Sequence, residues 1–273
     1  MDIKMMIIKR FILYFILIIF ALFMLFPIYS MVTTAFKTMP EIVGSRLTPP
    51  TKLYLGAFKE AFDNIGRPLL NSIIITLPSA LIGTFLGSIT GYVFSKFRFW
   101  GSDALFILIV LGMYIPAQAV LLPVVKFSAN VGIFNTYLGL ILPMIAFSIP
   151  SATLFFRNFY MTVPTEMIES ARVDGCGIPG IYRRIILPLS GITFAVSAII
   201  NFTWIWNGFL WGLVLTQGPT VQPVMVAVNN LHGTYVAMWN VQMAGSLIAA
   251  LPTLVIYTFF GKYIMRGVLA QRK

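Results

Sequence analysis

Long apolar runs alternate with polar connections along almost the whole chain. The runs cover about 11–36, 69–93, 103–122, 136–156, 189–210 and 242–263, and each is close to the roughly 20 apolar residues that carry a helix across a bilayer. The pattern predicts an all-α polytopic membrane protein, with a cytoplasmic N-terminus over 1–10 that carries Lys4, Lys9 and Arg10, and a single transmembrane domain of six helices over 11–273. The first run is longer than the apolar core of a signal peptide and no clear small-residue cleavage site follows it. It reads as an uncleaved first helix, bent near Pro27. Within the second run Gly83, Gly87 and Gly91 recur every four residues, which predicts a close packing face for another helix. Ser102 is placed to cap the third helix, with Asp103 in its first turn at the interface.

Two connections are long. Residues 37–68 open with Pro40, Pro49 and Pro50, read as structured but non-helical. The piece from Tyr54 to Asn64 then has helical spacing of Leu55, Phe58, Ala61 and Phe62 and is predicted to lie along the outer membrane surface. Residues 213–240 are rich in turn residues and amides. The stretch from Glu166 to Leu189 differs in kind, because it combines helical period, Gly punctuation and charges of both signs. Thr165 suits an N-cap, with Glu166 and Glu169 in or near the first turn. Ile168, Ala171 and Gly175 share one face. Gly175 and Gly177 break this helix and Pro179 opens a second one. There Ile178, Ile181, Tyr182 and Ile185 form a stripe opposite Arg183 and Arg184, so this helix lies against an embedded body rather than spanning it.

These intervals carry a resemblance. Glu169, Ser170, Ala171, three residues, Gly175, nine residues, Ile185, one residue, Leu187 and Pro188 together resemble the EAA loop of binding-protein-dependent ABC importer permeases. Ser170 is the one departure, small for small, and Asp174 fits the usual form. The loop takes in residues 164–188. The competing reading is a solvated cytoplasmic loop of an unrelated membrane protein. The segments from Asn71 and Ser72 onward, from Trp204 to Leu215 and from Ala249 to Gly267 extend the resemblance to carbohydrate-uptake permeases, similar to the smaller maltose-transporter permease.

The resemblance implies a six-helix core paired with a homologous second permease. It also implies two copies of a cytoplasmic ATPase, holding ATP and Mg, docked on the paired loops, and an extracytoplasmic solute-binding protein that delivers a sugar, an oligosaccharide by preference. This chain is then non-catalytic and binds no cofactor or metal itself. Carried over residue by residue, Glu169, Ser170, Ala171, Asp174, Gly175, Ile185, Leu187 and Pro188 couple to the ATPase. Gln217, Gly218, Pro219, Thr220, Val221 and Gln222 form the tip of a loop that meets the binding protein.

Composition agrees with the span count. Of 273 residues 59% are hydrophobic and 10% charged, and the mean hydropathy is +0.90, more apolar surface than a soluble fold of this size hides. One His and one Cys exclude a disulfide framework and a His/Cys metal cluster. The net charge of +11 follows topology rather than a nucleic-acid partner. Thirteen of the 19 Lys and Arg residues fall in the termini and in the connections on their side of the membrane, among them Arg172, Arg183 and Arg184. The positive-inside tendency therefore places both termini and the 164–188 loop in the cytoplasm of a cell-membrane protein.

No Asp, Glu, Lys, Arg or His sits in the middle of a predicted span, so a proton relay is not offered. Amides and aromatics at membrane depth are Asn71, Tyr114, Gln118, Asn201, Trp204, Trp206 and Asn207. Sugars suit such groups, which makes Asn71, Tyr114, Gln118, Asn201, Trp204 and Asn207 the candidates to line a translocation path, but belts of aromatics and amides that glue helices are the commoner use of them. A hydrolase is disfavoured, with His232 in a turn-rich loop and no G-x-S-x-G elbow. A permease for another solute, such as a peptide or polyamine, and a secondary transporter are the remaining rivals.

Overall fold

A computed structural model describes residues 3–231 and 238–270; His232, Arg272 and Lys273 lie outside the described residues. Among the described residues the chain is helical throughout, without a strand. In order the helices are α1 (Ile3–Ala35), α2 (Met39–Gly44), α3 (Gly56–Lys96), α4 (Ser102–Leu111), α5 (Ala117–Asn130), α6 (Tyr137–Met161), α7 (Thr165–Val173), α8 (Ile178–Ile181), α9 (Leu187–Leu189), α10 (Gly191–Trp206), α11 (Phe209–Leu215), α12 (Val224–Asn230) and α13 (Trp239–Ala270). α1, α3, α6 and α13 are each long and apolar enough to cross a membrane. Two further helix pairs are apolar enough when taken together but are sharply bent, one of α4 and α5 at 97° and one of the 178–189 segment and α10 at 78°. The chain divides into two compact units, Met1–Gly66 with Val228–Ala250, and Arg67–Ala227 with Leu251–Lys273.

The first unit is held by small side chains. Ala35, Ala57, Ala61, Val241 and Ala244 are buried together, and they let the ends of α1, α3 and α13 approach closely. Lys37 is fully buried beside them. Its Nζ donates to the Ser45 carbonyl at 2.9 Å and to the Arg46 carbonyl and Thr48 Oγ1, both at 3.4 Å. Its own carbonyl accepts from Asn240 Nδ2 at 3.1 Å. A buried ammonium needs such partners, and here it closes the turn after α2. From Ile7 to Tyr29 every residue of α1 is exposed within the chain.

The second unit is built on the α3–α6 pair. Gly83, Gly87 and Gly91 face Ser148, Ala152 and Phe156 respectively. A Cβ on Gly83 would stand 2.6 Å from Ser148 Cβ, and one on Gly91 would stand 2.7 Å from Phe156 Cβ. Backbone contact of this kind is what a four-residue glycine repeat permits. Hydroxyls join the same seam, with Thr90 Oγ1 2.6 Å from Thr153 Oγ1.

Several boundaries differ from the sequence expectations, each for a local reason. The piece from Tyr54 to Asn64 is not a separate surface helix. α3 begins at Gly56 and continues through Gly66 and Pro68, because Ala57, Ala61 and Ile65 prolong a buried four-residue stripe. Pro40 sits in the first turn of α2 rather than in a non-helical opening, a position where its missing N–H costs nothing. The 103–122 span breaks: Gly112–Tyr114 form a 3₁₀ turn and Ile115 and Pro116 are extended, as proline disfavours a helical residue before it. The caps shift by one, from Ser102 to Gly101 and from Thr165 to Pro164, and neither Gly101 nor Pro164 makes a side-chain capping bond. The fifth span is shorter than 189–210, since α10 ends at Trp206 and α11 is a separate turn of helix. Part of 213–240 is helical in α11 and α12.

Candidate functional site

The Glu166–Leu189 stretch folds as its small residues direct. Ile168 and Ala171 are the buried positions of α7. They enter a core of Tyr92, Ala152, Phe156, Tyr160, Val163, Ile181 and Ile186. The helix is stopped by a Schellman motif: Cys176 N–H bonds the Ala171 carbonyl at 2.9 Å and Gly175 N–H bonds the Arg172 carbonyl at 3.0 Å. Gly175 accordingly has φ +81°. Two side chains tie the stretch and the turn just before it to the C-terminal end of α3 and the residue after it. Lys96 Nζ donates to the Val163 carbonyl at 2.6 Å, and the Arg172 guanidinium lies 5.9 Å from the Phe97 ring centre.

The other face of α7 is open. Glu166, Glu169, Ser170, Asp174 and Gly175 are exposed. Ser170 Oγ bonds back to the Glu166 carbonyl at 2.9 Å, so this departure from Ala is absorbed within the helix. Val173 is 88% exposed and Met167 is 42% exposed. An apolar side chain displayed between carboxylates on a short helix fits a docking face better than a solvated one. Sequence reading missed Met167 and Val173, although the 166, 169, 170, 173 spacing was there to place Val173.

The second helix is not regular. Tyr182–Ile186 form a π-helical turn between α8 and α9. The extra residue rotates the stripe, so Ile181 and Ile186 are buried while Ile178 is exposed and Ile185 is only half-buried. Leu187 is half-buried and Pro188 exposed, just ahead of the 78° bend at Ser190.

The residues expected to meet an external partner and one of those expected on a transport path come together. Asn71 is buried on α3 and donates from Nδ2 to the Thr220 carbonyl at 3.1 Å and the Gln222 carbonyl at 3.0 Å. Its Oδ1 accepts from Tyr137 OH at 2.7 Å. Val224 N–H bonds Ser72 Oγ at 2.8 Å, and Gln217 N–H bonds Asn135 Oδ1 at 2.8 Å. Gln217, Gly218, Pro219 and Thr220 therefore stand exposed on a pinned base, with Val221 buried and Gln222 half-buried beneath them. Asn71→Leu is expected to orphan two carbonyls and the Tyr137 hydroxyl, at about 1–3 kcal/mol for each group left buried. Amide exchange over 217–223 should speed at least about tenfold, whereas unchanged protection would dismiss the pin.

The remaining polar candidates divide. Asn201 is buried, donating to Thr84 Oγ1 at 3.0 Å, and Trp206 is buried with its ring stacked on Phe202 at 5.5 Å. Both serve packing. Tyr114 and Gln118 are exposed at the break before α5. Trp204 and Asn207 line an open cavity of about 660 Å³ with Thr203, Phe209, Trp211 and Tyr257. Asn207 Nδ2 is committed to the Thr203 carbonyl at 2.8 Å. Indole, phenol and amide around such a volume suit a ring-bearing polar ligand.

Residues 83–272 match the family described as binding-protein-dependent transport system inner membrane component. The chain is 44% identical over 266 residues to a probable ABC transporter permease protein of Pyrococcus horikoshii, covering 94% of each. It is 34% identical over 279 residues to the glucose import system permease protein GlcU of Saccharolobus solfataricus, covering 99% of this chain and 97% of that one. Among solved structures it superposes with a TM-score of 0.82 on a bacterial ABC transporter involved in import of the acidic polysaccharide alginate. That match has 20% identity and covers 96% of this chain and 99% of the other, a likeness that speaks for the fold.

Proposed function

The chain belongs to the family of binding-protein-dependent transport system inner membrane components, and from that membership we infer that it is the permease subunit of an ATP-driven sugar importer. In this reading it forms the translocation path with a second, homologous permease. It contributes no catalytic residue; ATP and Mg are held by two ATPase chains in the cytoplasm, and a binding protein delivers the sugar from outside. The observation that carries the reading is α7, which seats Ile168 and Ala171 inward and offers Glu169, Ser170 and Val173 outward, the arrangement a docking helix needs. Sugar as cargo is supported by the glucose import relative and by the aromatic and amide lining of the cavity beside Trp204. The pinned 217–222 tip is the surface offered to the binding protein. Both termini and α7 then face the cytoplasm, in line with the distribution of basic residues.

Purification of a tagged copy from native membranes tests the assignment. A second six-span permease and an ATPase should accompany it; recovery alone or only with copies of itself would dismiss it. The cavity has its own check. Trp204 is 47% exposed, so Trp204→Ala should spare assembly yet weaken sugar uptake roughly two- to tenfold, as loss of a ring contact worth about 0.5–1.5 kcal/mol implies. Uptake kinetics identical to wild type would remove the cavity from the path.

A further inference from the structure

Four hydroxyls form a one-way chain behind α7. Tyr182 OH donates to Ser88 Oγ at 2.9 Å. Ser88 Oγ and Tyr160 OH lie 2.6 Å apart, Tyr160 OH donates to Ser190 Oγ at 3.1 Å, and Ser190 Oγ donates to the Leu187 carbonyl at 2.8 Å. With its first and last bonds directed, each hydroxyl gives one hydrogen, so Ser88 must be the donor to Tyr160. Ser88, Tyr160 and Ser190 are fully buried, where such bonds polarise one another and a broken link leaves an unpaired polar group.

The members come from four places: Ser88 from α3, Tyr160 from α6, Tyr182 from the π-helical turn, and Ser190 from the bend before α10. The π turn matters here because its extra residue re-aims the side chains beyond it. Tyr182, its first residue, has its ring 5.5 Å from Tyr92 and 6.4 Å from Phe85, both on α3. The Ser88–Tyr160 link sits on the glycine seam, where α3 and α6 already touch. The hydroxyl chain therefore ends on the Leu187 carbonyl, in the turn that leads from the 165–189 loop into α10.

We propose that this hydroxyl chain is the joint that makes the loop, the π turn and the adjacent ends of α3 and α6 move as one body, so that Ser88, Tyr160, Tyr182 and Ser190 are positioning residues for coupling. The proposal rests on the reading of α7 as the ATPase-docking helix. Without the joint, a push on α7 would be spent in tilting the loop against α3 instead of moving the spans.

The protein supplies its own control. Tyr92 packs in the same core, T-shaped to Tyr160 at 6.2 Å, and its hydroxyl is buried with no hydrogen-bond partner among the described residues. Tyr92→Phe deletes a hydroxyl outside the chain; Tyr160→Phe and Tyr182→Phe delete two within it and keep the rings. The measurement is the spin-label distance between Trp100→Cys, 99% exposed just beyond α3, and Arg184→Cys, exposed in the π turn. It is made in the whole complex in a Cys176→Ala background, with and without trapped ATP. Wild type and Tyr92→Phe should give one distance that nucleotide does not change. The Tyr160→Phe, Tyr182→Phe double variant should split into two populations when ATP is trapped, a response that general loosening would show equally without nucleotide. A nucleotide-dependent distance in wild type, a double variant that behaves like wild type, or a Tyr92→Phe that splits like the double variant overturns the joint alone. A complex that comes away without any ATPase overturns the docking reading and the joint's purpose with it.

Discussion

Gly87→Leu leaves no folded permease in the membrane: that is the largest effect expected of any single substitution here. A Cβ at this position runs into Ala152 Cβ and stands 3.0 Å from the Ala152 carbonyl carbon and the Thr153 nitrogen. These are backbone atoms of α6, so no rotamer change relieves them. Overpacking a core ordinarily costs about 1–3 kcal/mol. Here the two helices must also part, which breaks the Thr90–Thr153 and Ser88–Tyr160 contacts along the same seam. The sum is a large share of the roughly 5–15 kcal/mol that holds a domain together. Yield after detergent extraction and the thermal midpoint report it, beside Gly44→Ala, where a Cβ meets nothing within 4 Å. A Gly87→Leu protein with wild-type yield and midpoint would mean that α3 and α6 are not in backbone contact.

Gly175→Val should cut ATP-driven uptake by about 5–30-fold with the chain still inserted. The position has φ +81° and open space around it, so the penalty is conformational: about 1–2 kcal/mol for an L-residue in the left-handed region, more for a β-branched one. α7 is only 9 residues long, and so short a helix has little stability of its own. Losing the Schellman bonds frays its last turn and displaces Val173 and Asp174 from the outer face. A shift of about 1–2 kcal/mol is a factor of about 5–30 in the ordered population. Gly175→Asn separates conformation from contact, because Asn tolerates the left-handed region; it should retain most uptake. Glu169→Lys tests the surface alone, reversing an exposed charge without touching the backbone. Unchanged ATP hydrolysis and uptake in Gly175→Val and Glu169→Lys together would remove α7 from the coupling path.

What could be read in the chain beforehand was whatever depends on local spacing. The glycines at 83, 87 and 91, the Ile168–Ala171 face and the stop at Gly175 all reflect residue size at fixed intervals, and all three are present. Prolines were less legible. Pro27, Pro68, Pro78, Pro123, Pro143, Pro150 and Pro252 stay inside helices, whereas Pro116 marks a break. The difference lies in whether neighbours re-satisfy the freed backbone groups, which no window of sequence contains. Tyr182–Ile186 escaped because a 3.6-residue period was assumed and a π turn adds one residue to it. Asn71 and Asn201 sit at the depth of a path as amides, but each spends its amide N–H groups within the fold, Asn71 on the Thr220 and Gln222 carbonyls and Asn201 on Thr84, across separations of more than a hundred residues. Val173 was overlooked because an apolar residue in a polar loop draws no notice until its exposure is known.

The break at Ile115–Pro116 bears on where movement is available. α4 and the 3₁₀ turn lean on α6, with Gly112 beside Pro150, while α5 packs on α11. With α3 and α6 already touching, that pair has no free volume in which to slide, and tightly packed elements shift between discrete arrangements rather than deform. The two halves on either side of the break therefore rest on different supports within the second unit, and the extended Ile115–Pro116 pair that joins them belongs to neither helix.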